Sequence, residues 1–280
     1  MKIMKIPKIL YTLYRKILFE ETKLDITDFG NTVGASVIGT RTAQEDRCYA
    51  NILAAQDERI AVLAVCDGHG GNMVADEARK FIEQKIPELF LPRTHDPVAT
   101  MYHFFRELIT ATNKLPWSGS TITVCVVIKS LDCAVLGVMG DSPALIIDKD
   151  GNQHVGPNHN VRTNLTEREA GILRGGCYEG SYLWWRESGL QMSRALGDLH
   201  MGNVLLREPE IITVAHPRKI VLASDGIEDH HVVDMLPQGI AGLQLFADTP
   251  LPGAETLDTM LRNAKPRDNL SVIIWKHPDT

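Results

Sequence analysis

Short apolar, β-branched runs recur along the chain at 33–38, 60–66, 121–128, 133–138, 144–147, 219–223 and 270–275, and each predicts a strand. Helical periodicity falls between them. Residues 72–86 place Val74, Ala78, Phe81, Ile82 and Ile86 on one face, and 98–113 follow Asp96 as a cap and Pro97 at the first turn. A shorter helix starts at Thr166, where Thr166 and Glu169 form a capping box, and stops before Gly175-Gly176; a last one covers 255–263. The runs 133–138 and 144–147, joined by Met139-Gly140-Asp141-Ser142-Pro143, read as a hairpin or tight strand connection. Strands and helices come in blocks rather than in βαβ alternation, which predicts an α+β sandwich with mostly antiparallel sheets and helices outside.

Composition adds scale. With 280 residues, 44% hydrophobic and 23% charged, the chain can bury a sizeable core and reads as one domain with an appendage. Its apolar runs are far shorter than the roughly 18–20 residues of a membrane-spanning helix, so a soluble protein is expected. A net charge of -6 argues against a nucleic-acid-binding surface. The charge is uneven, because Lys2, Lys5, Lys8, Arg15 and Lys16 fill the first stretch without an acid. Interleaved with Ile, Leu and Tyr, they make residues 1–25 a basic, apolar tail, suited to packing on the domain or to peripheral docking on a membrane or protein. The tail has neither a signal-peptide core nor a small-residue cleavage site, so export is not expected. The five cysteines, Cys48, Cys66, Cys125, Cys133 and Cys177, are odd in number and form no C-x-x-C pair. They read as small core residues of a reducing, cytoplasmic compartment.

The candidate chemistry lies at strand ends and its carriers are carboxylates. Asp67 closes the run 60–66, Asp141 follows 133–138, Asp225 follows 219–223, and Asp268 precedes 270–275. An isolated Asp-Gly at a strand end is ordinarily a turn. Four acids at the mouths of neighbouring strands would instead converge and repel unless a cation sat between them, and oxygen-only ligands select hard ions such as Mg²⁺ or Mn²⁺.

The order of the surrounding motifs carries a resemblance. Gly39-Thr-Arg41-Thr-Ala-Gln-Glu45-Asp46, Asp67-Gly68-His69-Gly-Gly71, Gly119-Ser-Thr121, Gly140-Asp141-Ser142, Ser193-Arg-Ala-Leu-Gly-Asp198, Ala223-Ser-Asp225-Gly-Ile-Glu-Asp229 and Arg267-Asp268-Asn269 follow one another from about residue 30 to 276. This series resembles that of the metal-dependent protein phosphatases of the protein phosphatase 2C type. The resemblance implies a β-sandwich of two antiparallel sheets flanked by helices, a four-layer αββα domain over 26–280, with a two-metal centre at one end and a flap at about 160–190.

Carried over residue by residue, Asp67 resembles the carboxylate bridging two Mg²⁺ or Mn²⁺ ions, with the Gly68 carbonyl on one of them and Asp225 and Asp268 on the other. Glu45 is similar to the acid that holds metal-bound water, and Asp46 to its neighbour behind it. Asp141, with Asp229, matches a weaker third metal site. Arg41 resembles the fork that grips phosphate oxygens, and His69 the general acid for the leaving serine or threonine oxygen. The implied activity is hydrolysis of phosphoserine and phosphothreonine in proteins by metal-activated water. Two alternatives are a catalytically silent binding or scaffold protein and a hydrolase of small phosphomonoesters.

Some positions depart from the family pattern. Pro143 stands where Arg is common, Asn158-His159 where Asp-His is usual, and Glu228 where an aromatic follows Asp-Gly-Ile. The flap carries Tyr178, Tyr182, Trp184 and Trp185, which suit a docking surface or a packed hinge. No cysteine has Arg six residues later, there is no Gly-Lys for a P-loop, and G-x-G-x-x-G and H-E-x-x-H are absent. Cysteine-phosphatase, kinase, dinucleotide and zincin chemistries lose their support.

Overall fold

From Ile60 to Cys66 every side chain is buried, because β3 (Glu58–Cys66) is covered on both faces. Ala61, Leu63 and Val65 point into an apolar layer shared with a second sheet, whereas Ile60, Val62, Ala64 and Cys66 point at helices. A continuous apolar run is what a doubly covered strand requires. The computed structural model describes residues 30–55, 58–92, 94–115, 117–229 and 236–280, so the tail at 1–25 lies outside the described residues.

Two five-stranded antiparallel sheets face one another. One runs β14 (Glu210–Ala215), β7 (Cys133–Met139), β6 (Ile122–Ile128), β3, β2 (Arg47–Ala55); the other runs β1 (Asn31–Val37), β16 (Leu270–Lys276), β15 (Pro217–Ala223), β8 (Ala144–Asp148), β9 (Gln153–Val155). Leu136, Val138, Ala144, Ile146, Ile220, Leu222, Ile273 and Trp275 help fill the layer between them. Helices α1 (Met73–Phe90) and α2 (Pro97–Thr112) cover the outside of the first sheet. Helices α4 (Ile240–Asp248) and α5 (Ala254–Ala264) cover the second. The result is the four-layer α+β sandwich expected from the motif series. No described helix is long and apolar enough to cross a membrane.

Several local expectations are met and several corrected. Asp96 caps α2 as predicted, its carboxylate accepting from the Ala99 amide at 2.9 Å. Helix α3 (Leu165–Leu173) is capped by Asn164, which accepts from Glu167 N, rather than by a box at Thr166. The segments β7 and β8 are not a hairpin: they belong to different sheets, and Met139 to Pro143 is a crossing between them. Both strands are apolar on both faces, so pairing with each other is no better satisfied than pairing with separate sheets. Cysteines 66 and 125 are core residues, but Cys177, on the flap strand β10 (Cys177–Glu179), is exposed.

The flap consists of α3 and the small sheet β10, β11 (Tyr182–Trp185), β12 (Ser188–Leu190). Its aromatics divide into a packed pair and a partly exposed pair. Tyr178 and Trp185 pack on a core of Val161, Leu183, Met201, Val204 and Leu205, whereas Tyr182 and Trp184 form a tilted, partly exposed pair with ring centroids 5.8 Å apart.

Candidate active site

Antiparallel register brings the candidate residues to one end of the sandwich. Arg47 opposes Cys66, Val37 opposes Leu270, and Leu222 opposes Ala144. The end of β3 therefore lies beside the start of β2, and the ends of β15 and β1 beside the starts of β8 and β16. Asp67 leaves the first sheet there and Asp225 the second. Arg41, Glu45 and Asp46 lie on one crossing between the sheets, Asp141 on the other.

The carboxylates meet as the motif spacing implies. Asp67 and Asp225 come within hydrogen-bonding reach of each other. Desolvation pushes the Asp67 carboxyl well above the usual range, and the charges of Asp46, Asp225 and Asp141 push it further. Burial, with Asp225 nearby, lifts Asp141 to about 7. Burial lifts Asp46 to about 6 against two hydroxyl bonds that hold it down, from Ser271 Oγ at 2.7 Å and Ser224 Oγ at 2.8 Å. Asp225 is raised by desolvation and by Asp268.

Two oxygens mark what this cluster lacks. Asp141 Oδ1 and Asp46 Oδ1 are buried with no hydrogen-bond partner, although Asp141 Oδ2 accepts from Asn160 Nδ2 at 2.6 Å. A buried, acceptor-only atom without a donor is costly unless a cation or ordered water meets it. The donor set is all oxygen and several times negative, so the residues fit Mg²⁺ or Mn²⁺. Gly68 has no room for a side chain, since a Cβ would meet Glu45 O at 2.6 Å, and its backbone thus passes close to the Glu45 loop.

Arg41 is anchored on Asp268 at the mouth, with its side chain 55% exposed. Asp229 is not brought into the cluster; its carboxylate turns to Arg267 at 3.4 Å and is more than half exposed. Among the described residues, the three ligand-bearing side chains closest together are instead His159, Glu167 and Glu210, within 4.8 Å. Arg194 already supplies positive charge there, at 2.5 Å from Glu167, so this is an ion-pair network fastening α3 to the sandwich.

His69 lies on β4 (Gly68–His69), which pairs with β5 (Gly119–Ser120), itself paired with β13 (Leu196–Gly197). Its Nε2 is 2.6 Å from Oδ2 of Asp198, a carboxylate 2% exposed. Burial alone would lower the imidazole pKa, but the bond to Asp198 and its charge outweigh this and raise it. Gly119 makes the pairing possible, because a Cβ there would collide with both Asp198 Oδ2 and His69 Nε2.

Three positioning residues stood in the quoted motifs without being singled out. Asp198 orients His69 from 129 positions away. Asn269 accepts from Glu45 N at 2.7 Å and donates to Ile38 O and Ala43 O at 3.0 Å, pinning the loop that carries Arg41 and Glu45. Thr121 does the same for Asp67, exchanging N→O at 2.9 Å and receiving Asp67 N on Oγ1 at 3.2 Å.

Comparison with known proteins places this arrangement. Residues 33–242 match the family model described as Protein phosphatase 2C. The chain is 26% identical over 270 residues to protein phosphatase 1L of Bos taurus, covering 88% of this chain and 72% of that protein. It is 29% identical over 207 residues to probable protein phosphatase 2C 71 of Arabidopsis thaliana, covering 70% of this chain but 44% of that protein. The fold is similar to a C. elegans sex determining protein, with TM-score 0.71 at 23% identity over 97% of this chain and 72% of the other. It is also similar to the catalytic domain of the serine threonine protein phosphatase PstP in complex with 2 manganese ions, with TM-score 0.56 at 21% identity over 89% and 98%.

Proposed function

Because the chain belongs to the protein phosphatase 2C family, the Ser/Thr protein phosphatases, we propose that it hydrolyses phosphoserine and phosphothreonine in proteins with the help of Mg²⁺ or Mn²⁺. The observation that carries the proposal is the meeting of Asp67, Asp141 and Asp225 at one end of the sandwich, with Asp141 Oδ1 buried and unpartnered. Asp67, the Gly68 carbonyl, Asp225 and Asp268 would hold two ions, and Asp141 a weaker third; Asp229 is left out of this set. When bound, such ions supply a nucleophile from water near neutral pH and neutralise charge on the phosphoryl oxygens.

The chain's own residues do the rest. Arg41 keeps donors of its planar fork beyond the one on Asp268, enough to orient two non-bridging phosphate oxygens at the mouth. Glu45 and the partnerless Oδ1 of Asp46 are acceptors for the attacking water's protons. His69, kept protonated toward neutral pH by Asp198, delivers a proton to the departing serine or threonine oxygen. The substrate is a phosphorylated protein, and neither nucleic acid nor a small phosphomonoester is required. The tail at 1–25 is proposed to dock on an anionic membrane or a partner, with the protein resident in the cytoplasm.

The leaving-group test addresses the assignment of His69. An alkoxide leaves poorly without a proton and p-nitrophenolate leaves well, so His69→Ala should lose about 10²-fold on a phosphothreonine peptide and much less on p-nitrophenyl phosphate. Equal losses on the two substrates would remove His69 from that role.

A further inference from the structure

Asp198 reaches His69 from an unusual backbone. Its φ is +47°, in the left-handed region that non-glycine residues avoid, between Gly197 at +72° and the turn ending at Gly202 at +56°. Within the turn its carbonyl accepts from Met201 N at 2.9 Å, and the further restraint on it comes from outside the turn.

One side chain supplies it. Arg207, half-buried, spreads its guanidinium across the turn's carbonyls: Nε and Nη2 donate to Gly197 O at 3.0 and 2.9 Å, Nη2 to Asp198 O at 2.8 Å, and Nη1 to Gly202 O at 3.1 Å and Leu205 O at 3.4 Å. The three groups it clamps tightly bracket Asp198. A planar fork can serve several acceptors at fixed angles where an ammonium cannot. From the far side, the Asp198 amide donates to Ser118 O at 3.1 Å, next to the Gly119 that leaves space for the imidazole.

We infer that Arg207 is a positioning residue for the reaction: by clamping the carbonyls of Gly197, Asp198 and Gly202 it holds the Asp198 carboxylate on Nε2 of His69, and so fixes how the imidazole is aimed at the leaving oxygen. The hydrogen bonds of the Arg207 side chain go to backbone carbonyls and to none of the carboxylates of the acidic cluster. Its effect passes through Asp198 and His69 alone, which separates it from a residue that merely stabilises the fold. The inference rests on His69 acting as the general acid in the proposed phosphatase.

The test is a double-mutant cycle on the full chain, with Arg207→Ala and His69→Ala singly and together, read on a phosphothreonine peptide and on p-nitrophenyl phosphate with Mn²⁺. Arg207→Ala is expected to lower kcat on the peptide at least tenfold, to lower it less on p-nitrophenyl phosphate, and to cost less than twofold more once His69 is Ala. A second readout needs no turnover: the low-field imidazole proton of the short His69–Asp198 bond, seen by proton NMR in the parent, should be lost in Arg207→Ala as in Asp198→Asn. Should Arg207→Ala fail to fold, Arg207→Lys carries the same comparisons, with a partial loss expected. Equal losses in both backgrounds or on both substrates, or a low-field proton that persists, would overturn the inference. If the parent hydrolyses neither substrate, the phosphatase reading itself fails, while the NMR comparison still decides whether Arg207 places Asp198.

Discussion

Asp67 and Asp225, which end central strands of two different sheets, bring their carboxyl groups within hydrogen-bonding reach of each other. Two carboxylates that close cannot both stay ionised without a cation, and Asp141 and Asp46 press on the same space. The protein has thus built mutual repulsion into the end of a well-packed sandwich, and the repulsion makes the site's chemistry measurable through stability.

Removing one acid should relieve that strain. Asp225→Asn is expected to raise the melting temperature of EDTA-treated protein by a few degrees and to abolish the further rise on adding Mn²⁺. Thermal shift with and without the ion checks both. A variant that melts lower than the parent in EDTA would show that Asp225 is a structural hydrogen-bonding residue instead.

Ion-free stability should also depend on pH with a definite sign. Asp46 at about 6 and Asp141 at about 7, with Asp67 and Asp225 also raised, hold protons in the native state that the unfolded chain releases near 3.9. Between about pH 4 and 7 the native state therefore binds more protons, and stability falls as pH rises through that window. The Asp46 shift alone corresponds to about 3 kcal/mol. His159 and His277, held below their usual range by desolvation, work the other way, whereas Glu228 and His69 are raised and add to the fall. EDTA-treated protein should melt several degrees lower at pH 7.5 than at pH 5.5, and Mn²⁺ binding at pH 6 should release protons, as titration calorimetry in buffers of different ionisation enthalpy would read. A melting temperature that climbs over that interval contradicts the assignment.

Gly119 offers a sharper handle on the histidine than His69 does. The Cβ of Gly119→Ala would occupy the contact between His69 Nε2 and Asp198 Oδ2. Phosphopeptide turnover should fall at least tenfold while Mn²⁺ affinity stays within about twofold, because no carboxylate of the acidic cluster moves. Loss of both in parallel would mean that the three-stranded patch of β4, β5 and β13 had collapsed.

Asn269 fastens the crossing from β1 to β2 to the start of β16 through one side chain. Asn269→Ala leaves the Glu45 amide and the Ile38 and Ala43 carbonyls without their partner, a cost of about 2–3 kcal/mol, or roughly 5–10 °C in melting temperature. The loop that carries Arg41 and Glu45 would loosen, so KM for phosphopeptide should rise as well. A wild-type melting temperature would show that water replaces all three bonds.

The sandwich was legible where strands are buried on both faces, because β3, β6 and β16 need no alternation to declare themselves. Edge strands were harder: Arg47–Ala55 and Glu210–Ala215 are half-exposed and mix polar with apolar residues, and neither made a run. Helix α4 hid for a different reason, since Gly239 and Gly242 break its pattern. The link from Met139 to Pro143 reads locally as a turn, and only the partner strands decide that it crosses between sheets. The acids of the site were visible through their place at strand ends, and their order matched a family pattern. Asp198, Asn269 and Arg207 were not singled out, because their roles exist only in contacts that folding creates: His69 lies 129 positions from Asp198, and Glu45 lies 224 from Asn269.

The most direct measurement is release of phosphate from a phosphothreonine peptide by the parent and by Asp225→Asn, each with Mn²⁺, with Mg²⁺ and with EDTA. A metal-dependent phosphatase built on Asp67 and Asp225 gives turnover with an ion, none in EDTA, and a loss of at least 10²-fold in the variant. Folded parent protein that releases no phosphate with either ion, or that works equally well in EDTA, would contradict it.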